Sequence, residues 1–265
     1  MSTTEILATN LLSPVVLAFV LGAVATLLRS DLTFPEPLYQ ALAIYLLLAI
    51  GLKGGVALSV TEASAILLPL VATVVLGLLT PITAYAALRA LGRLDRVNAG
   101  ALAAHFGSVS AVTFLAAVAF ADATGVPSEG YLPALVAVLE VPAIAVGIVL
   151  ARRKGVAPPG AEGDRTQPGT IEWGLLLHEV LTGRSIVLLV GGVAIGWIAG
   201  PVRMAPVDPF FTAIFPGVLA LFLLEMGLVA ARRIRDIRKA GLRLLLLGTG
   251  LPVVHGLLGV WVGTL

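Results

Sequence analysis

Long apolar runs separated by short polar breaks set the character of this chain. They fall at about 14–28, 38–59, 64–88, 98–121, 131–151, 184–200, 208–230 and 242–264. A helix crossing a bilayer needs roughly 17–25 mainly apolar residues. The pattern therefore predicts eight spans, the first and sixth short and open to extension through their flanks. Strands are a poor reading of the same runs, which are long, rich in Leu and Ala, and without sustained alternation of period two. The predicted fold class is an all-α, polytopic membrane protein.

Composition supports that class. Hydrophobic residues make up 58% of the chain and charged residues 12%, against about 25% charged in soluble proteins, and the mean hydropathy is +1.04. The charges that remain give the helices a direction. If the spans alternate, all but Lys53 and Arg203 of the 17 Lys and Arg residues fall on one side. Loops on the other side carry Glu62, Asp122, Glu129 and Asp208. Lys and Arg in short loops mark the cytoplasm, so both termini are expected outside, with 152–183 inside. The basic residues sit at helix ends, so the pI of about 9.2 does not point to nucleic acid. Residues 1–13 hold Glu5 and no Lys or Arg. They lack the basic start of a cleavable signal peptide, and the first helix is expected to be retained.

Residues 152–170, RRKGVAPPGAEGDRTQPGT, form the long polar stretch and read as a flexible cytoplasmic linker. The next segment, IEWGLLLHEVLTG at 171–183, reads as a helix lying along the interface, with His178 structural. Five spans precede the linker and three follow it. Segments 13–55 and 184–227 resemble each other: a short Gly-containing helix, a loop, a Pro-x-Pro or Pro-x-Asp-Pro step, then a helix ending near Gly. The interval from Pro35 to Pro206 equals that from Pro14 to Ser185, and the next helix again holds prolines, Pro69 and Pro81 in one half and Pro252 in the other. A repeat of five helices is odd, so its second copy enters the membrane inverted, as in many secondary transporters. The expected organisation is a first repeat at 1–151, the linker and interfacial helix at 152–183, and an incomplete second repeat at 184–265. Symmetry predicts about two further helices, on the order of 55–110 residues with their loops.

The fourth span contains HFGSVSAVTF, which places Gly107, Ser108, Ser110 and Thr113 together near the bilayer midplane. Glycine permits the helix to open, and freed backbone groups at that depth need hydroxyls, water or a substrate as partners. A new half-helix N-terminus attracts anions. The functional reading is a small-anion and sodium site, with sodium held through Ser108, Ser110 and Thr113; ordinary small-residue packing explains the same residues. Glu140 and Glu225 lie inside apolar runs, where acids suggest function by default, although pairing with Arg or backbone is the alternative. His105 and His255 are candidate proton carriers or packing histidines. Lys53, in GLKGG, either draws anions to an outer vestibule or is a solvated helix end. There are no cysteines and three histidines on separate segments, so a Cys or His metal site is not expected. No nucleophile elbow, HExxH, Walker loop or dinucleotide fingerprint occurs, so the chain is not expected to be an enzyme or to carry a cofactor beyond a coupling ion.

In sequence order, AIGLKGGVAL (49–58), HFGSVSAVTF (105–114), EVPAIAVG (140–147), LLEMGLVAARRI (223–234) and LPVVHGLLG (251–259) resemble the sodium-dependent bicarbonate transporter family. The resemblance implies ten helices in two inverted halves, bicarbonate carried with sodium, and location in the bacterial inner membrane. It implies that Gly107, Ser108, Ser110 and Thr113 form the first half of the site, with His105, Glu140 and Glu225 as accessory candidates. It also implies a homotrimer and a cytoplasmic regulator similar to the nitrogen-signalling trimers. Where the cyanobacterial type tends to carry Gly-Ser before the threonine, this chain has Ala111 and Val112, which removes a hydroxyl and leaves the anion open. The family's C-terminal Ser-rich motif is not in this sequence. The alternative expectation is a truncated, non-transporting membrane scaffold.

Overall fold

The structure is a computed structural model, and it describes residues 11–110, 113, 114, 117, 118, 121, 125, 126, 128–152, 174, 178 and 180–264. The helices are α1 (Pro14–Leu27), α2 (Glu36–Val60), α3 (Ala63–Ala90), α4 (Arg96–Gly107), α5 (Leu132–Arg152), α6 (Arg184–Met204), α7 (Asp208–Thr212) and α8 (Phe215–Gly263). Among the described residues, six stretches are long and apolar enough to cross a membrane: α2, α3, Leu132–Ala151, α6, Asp208–Ile234 and Gly241–Gly263. The chain is a multi-pass, all-helical membrane protein. Most predicted spans agree within a few residues. The predicted span 98–121 does not persist as one helix, because α4 ends at Gly107. The last span begins after a kink inside α8, at Gly241 with φ 77°. The linker and most of the predicted interfacial helix lie outside the described residues. Val180 from its far end and Ile186 of α6 pack on Val141, Ile144 and Ile148 of α5.

Local chemistry accounts for the helix ends and for prolines within helices. Ser13 caps α1 by accepting from the Val16 N–H at 3.3 Å, and Pro14 fits the first turn, where no donor is needed. Pro69 and Pro81 lie inside α3, and proline removes a backbone donor there. Hydroxyls crowd the same turns: Thr73 donates to Pro69 O at 2.7 Å and Thr80 to Leu76 O at 2.8 Å. Both bonds run to the carbonyl four residues back, the usual geometry of a threonine within a helix.

The contacts divide the chain into two compact units, and neither coincides with a sequence half. The first joins the chain up to Thr61 with Ser110–Ala134 and Leu188–Lys239; the second joins Glu62–Val109, Leu135–Val187 and Ala240–Leu265. Each therefore draws helices from before and after the 152–183 segment.

In the first unit, glycines set the helix spacing. A Cβ on Gly51 would lie 2.5 Å from Leu189 O, one on Gly55 would overlap Val193 O and reach Trp197 N at 2.8 Å, and one on Gly196 would overlap Leu52 O. Contacts advance together along α2 and α6, so these two helices run parallel. Gly22 of α1 abuts Leu224 O, and Gly227 of α8 abuts Phe19 O. The Thr26 hydroxyl donates to Leu228 O at 3.3 Å across the same contact. Small residues give membrane helices this close approach, where dispersion replaces the hydrophobic effect as the packing force.

The second unit uses the same device between antiparallel helices. A Cβ on Gly100 would lie 2.6 Å from Ala151 Cβ, and one on Gly147 would lie 2.5 Å from Ala104 Cβ. Farther along, a Cβ on Gly107 would lie 3.0 Å from Ala143, and one on Gly77 of α3 would lie 2.9 Å from Pro142. Ala99, Ala103 and Ala143 are fully buried by this packing.

Candidate functional site

The interruption after α4 is built by its neighbours as much as by its own residues. Gly107 is buried, and a Cβ there would lie 2.9 Å from Pro81 and 3.0 Å from Ala143. The last helical bond is donated by the Ser108 N–H to Ala104 O at 3.1 Å. Ser108 itself turns out of the helix, with φ −90° and ψ 147°. Beyond the break, Ser110 O accepts from the Phe114 N–H at 2.9 Å, and Ser110 Oγ accepts from the Thr113 N–H at 3.4 Å. Ser110 is thus placed as the N-cap of a new turn, and residues 113, 114, 117, 118 and 121 are helical. Ala111 and Val112 lie outside the described residues.

Two properties of this break bear on chemistry. Among the described residues, the N–H groups of Val109 and Ser110 have no hydrogen-bond partner. Ser110 and Thr113 are exposed, and Ser108 is half-buried. Open amides at a helix start, flanked by neutral hydroxyls, suit an oxyanion. The carbonyls at the end of α4 suit a cation, since a helix C-terminus carries the negative end of the dipole.

The other predicted residues are distributed more widely. His105 is exposed on α4, whose packed residues are Gly100, Ala104 and Gly107. Glu140 is half-buried in α5, next to Leu139 and close to Pro142, which pack against Gly77. Glu225 is only 7% exposed, and its Oε2 has no hydrogen-bond partner among the described residues. His255 Nε2 lies 3.0 Å from Thr83 Oγ1, while its Nδ1 is buried without a partner among the described residues. The described residues contain no cluster of three or more His, Cys, Asp or Glu placed to hold a metal ion.

A second interruption lies in α6. Gly200 adopts φ 60° and ψ −179°, and Pro201 follows it. Arg203 Nη1 donates to Ile198 O at 3.4 Å, across the break. The Gly-Pro dipeptide is a plain breaker signal, and it falls where the expected span 184–200 ends, with a helical turn continuing to Met204.

Sequence reading did not assemble the cavity of the first unit. Its volume is about 390 Å³, and its walls include Lys53, Phe114, Ser128, Glu129, Asp208 and Phe211. Lys53 Nζ stands 5.6 Å from the centre of the Phe215 ring. Phe114 comes from the turn that Ser110 caps. The acids and the lysine were visible singly, as charges on the side poor in basic residues, but their spacing along the chain gives no sign that they share a wall.

Residues 14–265 match the family model described as the Na+-dependent bicarbonate transporter superfamily. No curated protein matches the chain.

Proposed function

Since the chain belongs to the Na+-dependent bicarbonate transporter superfamily, we propose that it is a symporter moving bicarbonate, or a similar small anion, together with sodium across the bacterial inner membrane. The observation that carries this reading is the break between Gly107 and Ser110, whose Val109 and Ser110 amides have no partner among the described residues. The N–H groups of Val109 and Ser110 receive the oxyanion, and the Ser108, Ser110 and Thr113 hydroxyls complete its shell. Hydroxyl oxygens and carbonyls at the end of α4 hold sodium. Neutral donors suit a cargo that must be released, because a fixed cation would compete with sodium and retain the anion.

The two halves act as inverted repeats, which supports alternating access. The parallel run of α2 with α6 favours this reading, since the second helix of one half and the first of the other share a direction only if one half is inverted. Glu225, buried and with no hydrogen-bond partner for its Oε2 among the described residues, is the strongest of the accessory residues; His105 and Glu140 are less enclosed.

Uptake of labelled bicarbonate into proteoliposomes under an inward sodium gradient tests the proposal. Sodium-dependent accumulation that Ser110→Ala reduces at least tenfold is expected. Accumulation indifferent to sodium removes the coupling, and no accumulation by a folded protein favours a non-transporting scaffold.

A further inference from the structure

We propose that the cavity beside Lys53 is a separate, outer recruitment site for a small oxyanion, with Lys53 as its anion-binding group. This rests on the transport reading only for its biological purpose. The binding itself stands on the cavity's own geometry.

Lys53 is exposed, and its ammonium is engaged among the described residues by the Phe215 ring alone. Cation–π contact orients a lysine without neutralising it, so the charge stays available. Phe215 is itself held in an aromatic cluster with Tyr45, whose ring stands 6.4 Å away and stacks on Phe211 at 5.7 Å. The Tyr45 hydroxyl donates to Phe210 O, which ties α7 to α2. The lysine is therefore presented on a braced wall rather than on a loose helix end.

The same cavity carries Glu129 and Asp208, both exposed, and Ser128 as a neutral donor. The Asp208 carboxylate accepts from the Thr212 hydroxyl at 3.2 Å. Neither acid forms an ion pair with Lys53 among the described residues. Two negative charges near one positive charge do not favour a lone anion at long range. They restrict the site to weak, rapidly exchanging binding and raise the local concentration of cations. A cavity of this kind gathers a monoanion and a monovalent cation side by side. Phe114 links its wall to the turn holding Ser110 and Thr113, so an ion pair collected here is one helical turn from the proposed transport residues. The charge pattern also predicts that Lys53 faces outward.

The test has two readouts. The chain has lysines at 53, 154 and 239 only, so a membrane-impermeant amine-acylating reagent added outside cells should modify Lys53, read by peptide mass spectrometry. Bicarbonate should slow that modification about threefold relative to chloride at equal ionic strength and pH. Equal rates in the two salts overturn the site, whether or not the protein transports. The second readout is uptake by reconstituted protein. Lys53→Gln should raise the bicarbonate KM roughly three- to fivefold at low salt with kcat unchanged. The effect should fade near 1 M salt, where the screening length is about 3 Å. Lys53→Arg should restore the KM, and Asp208→Asn should lower it while raising the KM for sodium. An unchanged KM in Lys53→Gln overturns the proposal even if sodium-driven uptake persists. Absent wild-type uptake with intact protection of Lys53 rejects the transport reading instead.

Discussion

The helix interrupted after Gly107 and the helix interrupted at Gly200 treat their freed backbone groups in opposite ways. At Gly200 the following residue is proline, which brings no donor, and the Arg203 side chain reaches back to the carbonyl of Ile198. At Gly107 the next residues are Ser108, Val109 and Ser110; the serine at 110 caps the next turn, while the amides of 109 and 110 have no partner among the described residues. An unsatisfied backbone group in hydrocarbon costs several kcal/mol, so a break persists only when something answers it. At Gly200 a side chain bonds back across the break, whereas at Gly107 the amides of 109 and 110 have no partner among the described residues. Disruption of a helix is thus not by itself the sign of a site; the unanswered donors are.

The largest effect that would break this contrast is expected from removing the hydroxyls at the open break. Hydrogen bonds to a charged partner contribute about 1.5–3 kcal/mol each, and each 1.4 kcal/mol is about tenfold. Ser108→Ala with Ser110→Ala should lower kcat/KM for bicarbonate uptake by roughly a hundredfold. A loss under threefold would place the anion elsewhere.

Next come the two glycines, compared directly. Gly107→Ala forces a methyl to within 2.9 Å of Pro81, and overpacking of this kind costs about 1–3 kcal/mol. Gly200→Ala meets only Ser59 Oγ at 3.7 Å, but its left-handed φ of 60° costs a non-glycine residue about 1–3 kcal/mol. Both variants should melt at lower temperature. Only Gly107→Ala should also change the bicarbonate KM, and equal kinetic damage from both would erase the distinction. Smaller still is Arg203→Gln, which should lose about 1 kcal/mol of stability or less and leave uptake constants unchanged.

The smallest expected effect sharpens the other end of α4. Asp95 caps that helix through the Asn98 N–H at 3.0 Å, and its carboxylate also accepts from the Asn98 side chain. These bonds hold its pKa below the ordinary value of 3.8. A lowered carboxylate stabilises the fold above that ordinary value and loses the contribution as pH falls through the lower, folded value. Asp95→Ala should therefore melt slightly earlier than the parent near neutral pH, with the difference shrinking below 3.8. A gap that does not change with pH would show that the carboxylate charge is irrelevant to the cap.

Much of this architecture was legible in the residues. Leucine- and alanine-rich runs of spanning length have few alternatives, so the helices at 38–59, 64–88 and 131–151 emerge almost unchanged as α2, α3 and α5. The opening after Gly107 was readable because glycine and two serines within four residues favour leaving a helix. What pattern could not carry was long-range pairing. Nothing local tells Gly107 that Pro81 will back it, or Lys53 that Glu129 and Asp208 will share its cavity. The break at Gly200 coincides with the expected end of the span 184–200; what pattern did not show is that helix resumes beyond it to Met204. Glu225 was conspicuous as an acid in an apolar run, and its burial became visible only when α8 met its neighbours.

Whether the open amides receive the anion is best tested by following the backbone N–H resonances of Val109 and Ser110 as bicarbonate is added with sodium present. The account predicts that these two shift with saturating dependence on bicarbonate, while the Arg203 guanidinium signal at the closed break stays in place. Bicarbonate binding or uptake with both amide signals unmoved would contradict it.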